Sequence, residues 1–161
     1  MQLTKVEGKS GSLQQQYVGF MVEKEEYSID ILKVQEIIRM VDITHVPNAA
    51  YYLEGIINLR GKVIPVVDFR KRFNLPCDSV GSDSSKRIIV VALNRMTVGI
   101  IVDRVTQVVK LNEEQVCPPP SAGGDNDCIS GVAKVGDKLV ILLDPELLFG
   151  QEEFGNFADA A

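Results

Sequence analysis

The sequence has no tryptophan, a single histidine and few aromatic residues of any kind, 6% in all. That leaves little for chemistry that leans on imidazole at neutral pH, and little for the interleaved rings on which single-stranded nucleic acids stack. Positive charge is also short, since 17 lysines and arginines stand against 22 aspartates and glutamates for a net charge of −5. No global field draws such a chain to nucleic acid or to an anionic membrane. Met1 to Ser12 holds no apolar stretch flanked by positive charge, and no apolar run reaches the length of a membrane span. The expectation is a cytoplasmic protein that does not insert into the membrane. Cys77, Cys117 and Cys128 form no CxxC, and His45 is far from all three in sequence. Nothing in that spacing supports a disulfide frame or a metal site, and three reduced thiols are expected. GxSxG, HExxH, a Walker-type glycine loop and GxGxxG are all missing, so neither an enzyme nor a cofactor is expected.

What the chain does have is core-forming material. Of its 161 residues 45% are hydrophobic and 24% charged, and a chain of that length buries about two thirds of its unfolded surface. Much of that material is duplicated. Tyr17 to Ile38 aligns with Ile88 to Val109 at a constant offset of 71, so that YSIDILKVQEII falls on VGIIVDRVTQVV. Farther on, Glu54 to Phe73 aligns with Ser130 to Phe149 at an offset of 76. There Gly55, Lys62, Asp68 and Phe73 meet Gly131, Lys138, Asp144 and Phe149. Two matched blocks in the same order indicate duplication, with the extra residues of the second copy placed in the loop-like Pro118 to Asp127 stretch.

The repeat decides between helix and strand where one copy alone does not. Ile31, Val34, Ile37, Ile38 and Val41 could form a helical stripe, but their counterparts in VDRVTQVVKL are rich in branched side chains that favour strands. Strands are therefore predicted at Gln16 to Val22, Tyr27 to Ile31, Glu36 to Val41, Gly55 to Leu59 and Val63 to Val67, with equivalents in the second copy. Arg60-Gly61-Lys62 and Gly136-Asp137-Lys138 read as hairpin turns. Asp68 and Asp144 read as N-caps of short helical segments. Five short strands per copy suit a small closed barrel. The expected fold is thus all-β, two five-stranded β-barrel subdomains packed together, spanning 14–150, with repeats over 14–75 and 86–150 and flexible tails at 1–13 and 151–161.

A duplicated fold also separates what folding demands from what it does not. Gly55 and Asp68 recur in both copies, but Arg60 falls opposite Gly136 and Glu36 opposite Gln107. A hairpin tip that works with glycine does not need an arginine, whose five-donor guanidinium is then free to meet a carboxylate or a partner. Should Glu36 and Arg60 approach one another, they can pair. Val34, Ile37, Val105 and Val108 occupy matching places and read either as core or as the lining of a groove between the subdomains. Glu25-Glu26 and Glu113-Glu114 read as solvated, and Arg70-Lys71-Arg72 as the polar face of a short helix.

These residues resemble one family. NLRGKVIPVVDFR (Asn58 to Arg70) looks like the signature of the CheW family, and YSIDILKVQEII, VGIIVDRVTQVV and ISGVAKVGDKLVILLD follow in that family's order and spacing. The resemblance runs from about Gln16 to Phe149. It implies two SH3-like barrels and a non-enzymatic chemotaxis adaptor that couples the tips of methyl-accepting chemoreceptors to the regulatory domain of the histidine kinase CheA, in arrays beneath the inner membrane. Carried over by position, Val34, Glu36, Arg60, Val105 and Val108 become receptor-binding candidates, and Gly55 and Ile57 kinase-binding candidates. A pilus-type chemosensory adaptor is an alternative within that resemblance. Outside it, the alternative is a small barrel that binds nucleic acid or another anionic ligand.

Overall fold

Branched residues set the strands. They are β1 (Gln15–Val22), β2 (Glu25–Asp30), β3 (Val34–Arg39), β4 (Leu53–Leu59), β5 (Lys62–Asp68), β6 (Arg87–Ala92), β7 (Thr97–Val102), β8 (Arg104–Leu111), β9 (Val116–Cys117), β10 (Ile129–Val135) and β11 (Lys138–Leu143). Two short helices come after the hairpins, α1 (Phe69–Arg72) after β5 and α2 (Pro145–Leu148) after β11. The structure, a computed structural model, describes residues 14–76, 83–94, 96–119 and 128–148. The expected tails, Cys77 and most of the Pro118 to Asp127 stretch lie outside them. Asp68 accepts a hydrogen bond from the Arg70 backbone N–H at 2.9 Å and Asp144 from that of Glu146 at 3.0 Å, so both aspartates cap as their sequence context suggests.

The expectation of two closed five-stranded barrels is overturned. The strands form one six-stranded sheet in the order β8-β1-β2-β11-β10-β9 and one five-stranded sheet in the order β3-β6-β7-β5-β4, and neither closes on itself. Closure needs a ladder between the two end strands. In the second sheet the irregular segment 40–52 separates β3 from β4 and contributes a single bridge, Thr44 to Ile56. In the first, a 3-10 turn at Glu113–Gln115 carries the chain from β8 to the two-residue β9, which pairs with β10 alone among the described strands.

The sheets also do not follow the repeats. The β1–β2 hairpin pairs with β8 and β11, and the β6–β7 hairpin pairs with β3 and β5, so each copy lends its first hairpin to the other. With β9 set aside, the two strand orders superpose under the repeat. Among the described strands the exchange creates the only parallel neighbours, β2 with β11 and β5 with β7. Mixed sheets therefore arise here without the crossover helix of a βαβ unit.

Each sheet buries both faces, which explains the unbroken apolar runs such as IIVV in β6. Ile89 and Val91 face a central core between the sheets, while Ile88 and Val90 face a second core within the curl of their own sheet. The first sheet curls around a third core that includes Val109, Leu111 and Leu142. Aromatics close the central one, with Phe69 of α1 lying edge-on to Phe20 and Tyr27 at centroid distances of 5.5 and 4.7 Å. One sequence reading is corrected here. Glu26 is only 9% exposed rather than solvated, because β2 turns it toward Thr106, whose hydroxyl donates to its carboxylate at 3.0 Å.

Candidate functional site

The β4–β5 hairpin turns on two residues of positive φ, Arg60 at +53° and Gly61 at +86°. That is the mirror-image geometry a two-residue hairpin prefers, and the Gly61 N–H is held by the Asn58 side-chain oxygen at 2.8 Å. Gly136 adopts +62° at the equivalent tip. An arginine therefore stands where the turn favours glycine, with its Cβ in the crowded left-handed region.

From that tip Arg60 reaches across the mouth of its sheet. Its two terminal nitrogens donate to the two carboxylate oxygens of Glu36 at 2.6 and 2.7 Å. Glu36 lies on β3, at the opposite edge of the sheet order from β4. The fork thus spans the gap that no ladder closes. The hydrogen bond from Arg60 holds the Glu36 carboxyl below its ordinary value, and Glu36 raises the guanidinium in return. With the Arg60 side chain 70% exposed, the pair forms a fixed, planar polar surface.

Val34 and Val105 are both partly buried and both pack on the central core, one from β3 and one from β8. The sequence-derived candidates therefore fall into two connected groups. Glu36 and Arg60 are joined directly, and Val34 and Val105 meet the same core from different sheets. Val108 lies farther along β8 and is 49% exposed. Gly55 and Ile57 are inside. A Cβ at Gly55 would stand 2.2 Å from the Thr44 carbonyl oxygen, and Ile57 packs in the core of the second sheet. Neither offers a side-chain surface.

His45 is exposed and borders an open groove of about 230 Å³ together with Asn48, Tyr51, Glu54 and Lys71. Among the described residues no cluster of His, Cys, Asp or Glu suits a metal ion. Cys117 is exposed and Cys128 is buried.

Sequence reasoning missed Arg70, taking it for part of a polar helix face. Its side chain is mostly buried and donates to both Asp103 oxygens, at 3.0 Å from Nε and 2.7 Å from a terminal nitrogen, and also to Glu23. Burial alone would raise the Asp103 carboxyl. Hydrogen bonds from Arg70 and from the Glu23 N–H outweigh it and hold the group below its usual value. Its neighbours are engaged as well. Lys71 pairs with Glu54 at 2.9 Å, and Arg72 donates to the Leu148 carbonyl at 2.8 Å while its guanidinium lies over Tyr52 and Phe73. The basic run is therefore used within the fold. The only sequence signal was Arg70 facing Glu146 in the repeat alignment.

Two curled sheets with buried faces and an ion pair at one mouth are the geometry of a scaffold that presents a surface. Comparison with known proteins gives its family. Residues 16–153 match the family described as CheW-like domain. The chemotaxis protein CheW of Klebsiella aerogenes is 36% identical over 141 residues, covering 86% of this chain and 84% of that protein. That of Helicobacter pylori is 33% identical, covering 87% and 88%. Among solved structures, the scaffolding protein TtCheW of Thermoanaerobacter tengcongensis matches with a TM-score of 0.79 and 38% identity over 85% of this chain and 93% of that one. The chain belongs to the CheW family, and it is a non-enzymatic chemotaxis adaptor.

Proposed function

We propose that the edge made by β3, the β4–β5 turn and the start of β8 docks the cytoplasmic helical-hairpin tip of a methyl-accepting chemoreceptor, and that the chain couples this receptor to CheA. Its setting is then the cytoplasmic side of receptor arrays, and no helix among the described residues is long and apolar enough to cross a membrane. The observation that carries the reading is the Glu36–Arg60 fork, built on an arginine in a slot where the second copy has glycine. A residue kept in a conformation that suits glycine better is kept for what its side chain meets. Val34 and Val105 supply the apolar part of the surface, which suits a helix laid into a groove, and Val108 extends it.

The kinase-binding half of the reading rests on family membership. Gly55 and Ile57 contribute to it by fixing the β4–β5 hairpin from within.

The test is a titration of the full chain with a receptor-tip fragment. Arg60→Glu places two carboxylates face to face and is expected to lower affinity by at least about tenfold, 1.4 kcal/mol of binding, while circular dichroism and the thermal midpoint stay as in the parent. Undiminished binding by that variant would remove the fork from the interface.

A further inference from the structure

Among the described residues the chain passes between the sheets twice. It goes from β2 to β3 through a 3-10 turn at Ile31–Lys33, and from β7 to β8 at Asp103. Each passage is held by one side chain from a short helix, and the same helix residue also holds the turn of a hairpin. Arg70 of α1 binds Asp103 at the second passage and Glu23 in the β1–β2 turn. Glu146 of α2 accepts from Lys33 Nζ at 3.2 Å at the first passage, and from the Asn94 backbone N–H at 3.0 Å in the β6–β7 turn.

The two arrangements correspond at the helix and at the hairpin turn, and at the passage they differ by one residue, since Lys33 aligns with Arg104, next to Asp103. Glu146 occupies the slot of Arg70 at the offset of 76, and Asn94 that of Glu23 at the offset of 71. Their polarity is opposite. In one a cation on the helix grips an acid at the passage, and in the other an anion on the helix grips a lysine. A contact rebuilt with reversed charges is kept as a contact, independent of the residues that make it.

Both passages deliver the chain to a valine. Lys33 is succeeded by Val34 and, two residues after Asp103, the chain reaches Val105. These are the two valines that meet the central core from the edge strands. We propose that Arg70 and Glu146 are positioning residues for the binding edge, each pinning one passage and so setting where Val105 and Val34 stand on the rim of the shared core. The role in binding rests on the function proposed above, whereas the positional claim stands on these contacts.

Glu146→Gln and Arg70→Lys, made separately in the full chain, test it through the methyl resonances of Val34 and Val105. Glu146→Gln is expected to shift the Val34 methyls and leave those of Val105 in place. Arg70→Lys, which keeps the charge but loses the planar fork, does the reverse. Both lower affinity for a receptor-tip fragment by between about twofold and thirtyfold. Arg70→Met serves as a second variant at that position, expected to move Val105 farther in the same sense. The proposal is overturned if each variant disturbs both valines alike, or if affinity is unchanged while only the unfolding midpoint falls. Should the parent chain fail to bind the fragment, the docking reading is the one that fails, and the methyl shifts decide the positional claim alone.

Discussion

Arg60 occupies a left-handed backbone conformation that Gly136 adopts with no side chain to crowd. Stability and binding should therefore separate at this one position. Arg60→Gly is expected to leave the thermal midpoint unchanged or to raise it by about 2 °C while it weakens receptor coupling. A scanning melt and a titration on the same sample check both halves. The pH response of the pair has a defined sign. Because Glu36 is depressed in the folded chain, its ionised form is favoured there, and the pair persists fully above the ordinary carboxylate range. Its contribution is lost only as pH falls through that depressed value. Affinity for a receptor tip should accordingly hold steady from neutrality to about pH 5, and a decline within that window would place another titrating group in the interface. Both residues were legible in the sequence because the duplication supplied a glycine and a glutamine for comparison. Arg70 was not, since an arginine beside a lysine and another arginine reads as solvated until its distant acids, Glu23 and Asp103, are brought to it by the fold.

Strands were readable as elements, and their partners were not. Branched side chains and glycine turns located the longer strands, but β9 is two residues long and rises from a 3-10 turn with no periodic signal. Pairing is a nonlocal property. The run IIVV of β6 looks the same whether its neighbours are β7 and β8, as a self-contained copy would have it, or β7 and β3, as here. The helices are too short for periodicity but carry their caps, and those can be tested. Removing the Asp144 side chain, as in Asp144→Ala, should cost about 1 kcal/mol by freeing the first turn of α2, read as a lower denaturant midpoint with an unchanged slope. A loss well below that would mean the fold holds α2 in place without its cap.

The exchange of hairpins ties the two copies into one cooperative body. Residues 14–75 alone would keep β1 and β2 without β8 and β11, and β3 to β5 without β6 and β7. That fragment is expected not to fold by itself. The whole chain should unfold in one transition, with near-ultraviolet signal, far-ultraviolet signal and heat capacity coincident, and two separated transitions would refute the coupling. Phe69 is the sharpest probe of it, because it is 1% exposed and its ring, carried by the helix that ends the second sheet's β5, packs on Phe20 and Tyr27 of the first sheet. Phe69→Ala should destabilise by about 3–5 kcal/mol without producing a second transition. The same exchange bears on ancestry. A single copy with its first hairpin lent away is one subunit of an intertwined two-fold homodimer, which a duplication could link into a single chain. Linkage of that kind would turn an encounter between molecules into an encounter along one polypeptide, and it would allow the symmetry to break. A homodimer must show every side chain twice, whereas the fused chain shows an arginine at one hairpin tip and a glycine at the other, and so has one face to offer rather than two.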